Sequence, residues 1–310
     1  MHRAAAVRWA SARLAWFLGW VLLFLAAPPV GAQRVSLDSV KVNDSTVVHA
    51  IHMREGSRIV GRIVAVTADS VRVVSASSTT TVSRGAVREV RQYAASAMHD
   101  GELWPENPHA TRLLFSPTAI PLRKGEGYFS DFWLFVLSAA GGVTDRFTLG
   151  AGMTLIPGIN FGDNVFYLLP KYTLVDQPRI KFAIGGLVAL VGGFSSDSRD
   201  AASVGILYGV ATTGTHESNL TLGAGWGYVG DQLADKPVVT LGGQHRVSKR
   251  VALISENWFL PFEGDALGFV TYGLRFLGEK LAVDFAFGNT LERGGQLFPG
   301  VPLLGFSVKF

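Results

Sequence analysis

Between residues 107 and 310 the chain sets a large apolar side chain at every second position and a small or polar one between, in runs about ten residues long. Leu220, Leu222, Ala224, Trp226 and Tyr228 alternate with Asn219, Thr221, Gly223, Gly225 and Gly227. Phe147, Leu149, Ala151, Met153 and Leu155 oppose Arg146, Thr148, Gly150, Gly152 and Thr154, and Val270, Tyr272, Leu274 and Phe276 oppose Thr271, Gly273 and Arg275. A period of two describes a strand with two unlike faces. The second face is mostly Gly, Ala, Ser and Thr rather than Lys and Glu. That suits an enclosed interior better than the wet face of a soluble barrel or sandwich.

The turns carry the same message. Short connections at 142–145, 176–179, 212–215, 248–250 and 278–280 alternate with longer ones rich in Gly and Asp. Strands of this length with one-sided loops predict an all-β fold whose main part is an antiparallel transmembrane β-barrel. About twelve strands are expected, near 111–118, 127–141, 146–155, 164–175, 180–191, 202–212, 218–229, 237–247, 251–260, 267–277, 281–288 and 302–310. An even number puts both barrel ends at one mouth, the short-turn mouth, which is then periplasmic. Two registers stay open: Asp131 shares a face with Phe129, Trp133 and Phe135, and Glu256 with Ile254 and Trp258.

The N-terminus fits export. Arg3, Arg8 and Arg13 precede an apolar stretch over 14–27, and Val30 and Ala32 place cleavage before Gln33, so residues 1–32 read as a signal peptide. Taking those three Arg from 28 basic residues leaves 25 against 24 acids, so the high pI implies no nucleic-acid partner. There is no Cys, which excludes disulfides and Cys-ligated metals. Localisation is expected in the outer membrane, in contact with its lipid.

Residues 33–93 change in style, with short β-branched strands at 46–53, 58–66, 70–74 and 79–82 separated by turn-formers. They predict a small periplasmic module, a five-stranded SH3-like or Sm-like barrel in which Gly61 marks a sharp bend. Arg58, Arg62, Arg72, Arg84, Arg88 and Arg91 are scattered over it as a solvated surface. Residues 94–110 form a tether with one helical turn near Ala95 and Met98, and the barrel occupies 111–310.

No catalytic set emerges. His216 and His245 have no matching Ser and Asp, His99 and His109 stand alone, and no cofactor or metal is expected, so the chain does not read as an enzyme. The charges on the inward parity are the site candidates: Arg112, Arg146, Lys171, Lys181, Arg246, Arg275 and Lys309 towards the periplasmic half, with Asp131, Glu256 and Asp284 nearer mid-height. The long loops lean acidic through Asp163, Asp197, Asp200, Asp231, Asp235, Glu263 and Asp265. An open lumen ringed by cations would be a narrow, porin-like channel for small anions. A salt-bridged plug is the other reading, since twelve strands lie between filled and open barrels. In that case the protein is structural, or anchors a periplasmic partner through its β module.

Two stretches carry resemblances. Gly305-Phe306-Ser307-Val308-Lys309-Phe310 is similar to the C-terminal signal of outer-membrane barrels, which implies recognition of the last strand by the barrel assembly machinery. Leu303 departs from that pattern, where a polar residue is usual. The runs 107–112, 115–122 and 124–128, and Gly142-Val143-Thr144-Asp145 before an aromatic, resemble an uncharacterised family of bacterial outer-membrane proteins that joins a short β module to a barrel. The resemblance implies that architecture and no established activity.

Overall fold

A computed structural model describes residues 33–75, 77–191, 202–261, 266–291 and 298–310. The expected signal peptide and Asp197, Asp200, Glu263 and Asp265 lie outside the described residues. The described residues form two compact units, one ending at Glu106 and the other spanning Asn107–Phe310.

In the first unit six strands make one antiparallel sheet: β1 (Gln33–Val35), β2 (Val47–Met53), β3 (Arg58–Val66), β4 (Ser70–Val74), β5 (Thr79–Ser83) and β6 (Val87–Ala94), in the order β1-β6-β2-β3-β4-β5. This corrects the five-stranded SH3-like expectation: β1, too short to show a period, adds to β6. The core is Ile51, Met53, Ile63, Val71, Val73, Val87 and Val90. At Gly61 β3 leaves no room for a side chain against β4, since a Cβ there would lie 2.5 Å from the Val74 carbonyl oxygen. The ladder itself slips between Ile63 and Ala65. A 3-10 turn (Ala95–Ala97) and a two-residue hairpin, β7 (Met98–His99) with β8 (Glu102–Leu103), follow within the stretch read as a tether.

The second unit is a closed barrel of twelve antiparallel strands: β9 (Gly127–Phe132), β10 (Val136–Gly142), β11 (Phe147–Thr154), β12 (Phe166–Asp176), β13 (Ile180–Val191), β14 (Ala202–Gly214), β15 (Ser218–Val229), β17 (Val238–Ser248), β18 (Val251–Pro261), β19 (Ala266–Leu277), β20 (Leu281–Thr290) and β21 (Val301–Lys309). A two-residue strand, β16 (Gln232–Leu233), folds back on β15. β21 pairs with β9 from Gly305↔Phe132 to Lys309↔Tyr128, which closes the cylinder. Phe310 and Gly127 exchange backbone hydrogen bonds at 2.9 and 3.2 Å.

Twelve is the expected number, reached by two cancelling errors. Residues 111–118 are not a wall strand, and 127–141 are two strands, not one. The β9–β10 turn holds Trp133 and Leu134 at φ 57° and 65°, a left-handed conformation that bulky residues seldom adopt and that no Gly or Asn announces here. Asp131 stabilises the turn by accepting the Leu134 N–H at 2.8 Å. It lies on the face opposite Ser130, so it is a turn residue and not a charge of the inner wall.

Apolar side chains project outward from the wall strands, among them Leu149, Leu168, Leu174, Ile184, Leu207, Leu220, Leu222, Leu253, Phe276 and Leu304, all exposed. β18 shows why one register was open. Ala252, Ile254 and Glu256 are buried while Leu253 and Phe259 are exposed, so this strand carries apolar residues on both faces. What its inner face packs against is the site.

Candidate functional site

The segment 107–122 contains Pro108, Pro117 and Pro121, and each removes a ladder donor, which weakens it as a wall strand. It runs through the lumen instead. Its backbone and side chains bond to Ser130 of β9, Thr148 of β11, Lys171 and Thr173 of β12, Thr212 of β14, Glu256 of β18 and Arg275 of β19. Only a segment inside the cylinder can meet strands from all round it.

The segment is a hairpin. It begins at the short-turn mouth, where the Asn107 N–H donates to Glu217 Oε1 at 2.9 Å and its side-chain amide to the His216 carbonyl. It turns over 113–116, with Leu113 N–H to Ser116 O at 2.9 Å and Thr118 N–H to Thr111 O at 3.0 Å. It then descends to the same mouth, where the Lys124 N–H donates to Asp145 Oδ1 and Arg123 pairs with Asp176 at 2.7 Å, before entering β9. Leu113 and Leu114 pack against Ile254, Ala286 and Leu303, with Phe132 alongside. Leu303, the departure from the C-terminal pattern, is therefore a contact with the hairpin.

A hairpin in a lumen has unpaired backbone groups that water cannot reach, and each needs a partner. The wall supplies them. Lys171 Nζ donates to the carbonyls of Thr111, Thr118 and Ile120 at 3.3, 2.9 and 2.7 Å, which uses its three N–H groups. Arg275 is fully buried: it donates to the carbonyls of His109, Arg112 and Leu113, to Gln244 Oε1, and to both carboxylate oxygens of Asp284 at 2.6 and 2.8 Å. Glu256 Oε2 accepts the N–H groups of Phe115 and Ser116 at the apex at 2.9 and 3.0 Å, and its Oε1 accepts the Trp258 indole N–H at 2.6 Å. Thr212 Oγ1 accepts the Ala119 N–H, and Thr148 Oγ1 that of Leu122.

The remaining sequence candidates fall elsewhere. Arg112 belongs to the hairpin, not to a first strand, and donates to Ser130 Oγ at 3.0 Å while its guanidinium lies 5.9 Å from the Tyr128 ring centre. Arg146 is exposed in the β10–β11 turn, so it is no lumen charge. Lys181, Arg246 and Lys309 sit at the short-turn rim. Lys181 donates to Gln177 O, Arg246 bonds to Glu217 at 2.5 Å and to the Lys249 carbonyl, and Lys309 pairs with Glu126 at 2.9 Å. Sequence reasoning missed the hydroxyl partners Ser130, Thr148, Thr173 and Thr212, together with Gln244 and Glu217. Their only signal was inward parity, which every small polar wall residue shares. His245 lies on the exposed face with its Nδ1 2.9 Å from Ser218 Oγ. Among the described residues no cluster of His, Asp and Glu could hold a metal.

Among the described residues the lumen beside and beyond the hairpin apex is not filled. A cavity of about 100 Å3 lies among Leu169, Leu187, Ile206, Tyr167, Tyr208 and Trp258, floored by Thr111, Arg112 and Phe115. Its wall shows why Gly occupies the inner face. A Cβ at Gly152 would lie 2.4 Å from both the Tyr167 ring and the Leu137 carbonyl oxygen, so the ring lies flat across its neighbour strand.

No protein-family model and no curated protein matches the chain. Among solved structures it is similar to the KdgM porin in complex with disordered oligogalacturonate, at 10% identity over 59% of this chain and 95% of that one, with a TM-score of 0.40. It is also similar to outer-membrane-expressed OmpT of Vibrio cholerae, at 8% identity over 86% and 95% with a TM-score of 0.33. Omp33 of Acinetobacter baumannii gives 10% identity over 60% and 95% with a TM-score of 0.31. With TM-scores below 0.5, none of the three carries weight for activity.

Proposed function

We propose that the chain is an outer-membrane β-barrel protein that stands closed, its lumen occupied by its own residues 107–122, and that it serves as an anchor rather than as a free-running pore. The outward apolar belt, and the length of 9 to 13 residues that the wall strands from β12 onward reach, support the membrane reading. In that reading the short turns face the periplasm, the signal peptide is cleaved after Ala32, and the strand ending in Phe310 is read by the barrel assembly machinery. The β module of residues 33–93 is then the part that meets a periplasmic partner. The observation that carries the closed state is the engagement of the hairpin by Lys171, Glu256 and Arg275. Cations whose donors are spent on carbonyls and carboxylates do not make a free anion-selective ring.

A second reading keeps the channel for small solutes but gates it. The hairpin enters and leaves by one mouth, so it can be withdrawn without being threaded through the barrel. Planar-bilayer recording separates the two. The folded protein is expected to pass no steady current at low voltage, and a steady ohmic current in every insertion would overturn the anchor reading. Brief openings that become frequent when the hairpin contacts are weakened would favour the gate.

A further inference from the structure

We propose that the lumen beyond the hairpin apex is a binding site for a small monocarboxylate with a flat or short apolar body. This stands whether the barrel is permanently closed or gated. The cavity walls are apolar and aromatic, and two of the residues that line it, Thr111 and Arg112, each hold a buried polar atom with no hydrogen-bond partner just behind its surface, Thr111 Oγ1 and Arg112 Nε. Buried donors left without partners are rare in a folded chain and mark a place where a further group belongs.

The charge state of the floor says which group. Lys171 also touches the cavity, but its three donors are committed to carbonyls of the hairpin. Arg112 is different. Its terminal nitrogens meet only the neutral hydroxyls of Ser130 and Ser138, at 3.0 and 3.5 Å, and the face of Tyr128. A partly buried guanidinium with neutral partners and an unused Nε–H is the half of a fork that a carboxylate completes. Among the described residues no carboxylate occupies that position.

The size of the space sets the rest of the molecule. An apolar cavity of about 150 Å3 takes up benzene, so a space of about 100 Å3 has room for one ring or a short acyl chain. The Tyr167, Tyr208 and Trp258 rings around it offer faces and edges for an apolar body.

Fluorine NMR on the full mature chain in lipid nanodiscs tests this with 4-fluorobenzoate, its neutral twin fluorobenzene, and unlabelled hexanoate as competitor. Saturable binding of 4-fluorobenzoate at millimolar concentration or tighter is expected. Displacement by hexanoate assigns the site to carboxylates generally, and failure of hexanoate to compete assigns it to aromatic ones. Arg112→Gln is expected to weaken 4-fluorobenzoate about tenfold or more while leaving fluorobenzene unchanged, as loss of one charge-assisted contact requires. Arg112→Lys, which keeps the charge, is expected to restore much of that loss. Leu187→Trp, which fills the cavity, is expected to abolish both ligands. No saturable binding to the wild-type protein, 4-fluorobenzoate affinity indifferent to Arg112→Gln, or binding that survives Leu187→Trp would overturn the assignment.

Discussion

Arg275 of β19 and Asp284 of β20 face each other across neighbouring strands and join in a two-pronged pair, with Nε to Oδ1 at 2.6 Å and an outer nitrogen to Oδ2 at 2.8 Å. The remaining donors of the same guanidinium reach the hairpin backbone and Gln244. One wall residue therefore couples the barrel ladder to the segment inside it.

Removing one member of that pair leaves the other buried and uncompensated. Arg275→Leu or Asp284→Leu alone is expected to cost about 3–5 kcal/mol, and the double variant less than the sum of the two. Equilibrium unfolding in urea with the protein in detergent reads the values. Additive losses would mean that the pair is not coupled.

Glu256 holds the apex by two amides. Glu256→Ala leaves the Phe115 and Ser116 N–H groups without an acceptor, each worth about 1–3 kcal/mol when buried. The hairpin should then loosen first at its tip. Hydrogen exchange at 113–117 is expected to accelerate by at least tenfold while the wall strands stay protected; unchanged exchange would place the restraint elsewhere.

At Gly152, an added methyl group meets both a ring and a backbone carbonyl. Gly152→Ala is expected to destabilise the barrel by about 1–3 kcal/mol through overpacking. Tyr167→Ala should not rescue it, because the Leu137 carbonyl oxygen is equally close and cannot move aside. Full rescue, read from the unfolding midpoint of the double variant, would show that only the ring matters.

In the β module, burial holds His49 below the usual histidine value, with Gln92 opposing the shift. A histidine lowered in the folded state costs nothing while neutral in both states. The module is then most stable above about pH 6.5, and that stability is lost as pH falls from there through the folded value. Amide exchange in β2 and β6 is expected to rise on acidification, and His49→Leu to flatten the dependence. A profile unaffected by that substitution would assign the acid sensitivity to other groups.

Much of the wall was legible because alternation is a local property that each strand displays independently. From β11 to β21, the two-residue β16 aside, the expected and observed strands coincide to within two residues at either end. The hairpin was not legible, because an apolar run such as Leu113-Leu114-Phe115 looks alike whether it faces lipid or fills a lumen. Pro108, Pro117 and Pro121 were the physical signal against a wall strand, and they outweigh the apolar run. The turn at Trp133 and Leu134 was hidden because tertiary context, not turn chemistry, sustains its left-handed backbone. The charges at 171, 256 and 275 stood out in the sequence, but their partners are backbone groups of a distant segment, and a carbonyl has no letter of its own.

Because the luminal hairpin runs straight into β9, and β9 must be zipped to β21 to finish the cylinder, the filling is made before the container. It emerges from the ribosome ahead of every stave, and the seam that seals it in is the last to be written. Lys171, Glu256 and Arg275 then act as grips that gather strands far apart in the chain onto one short core.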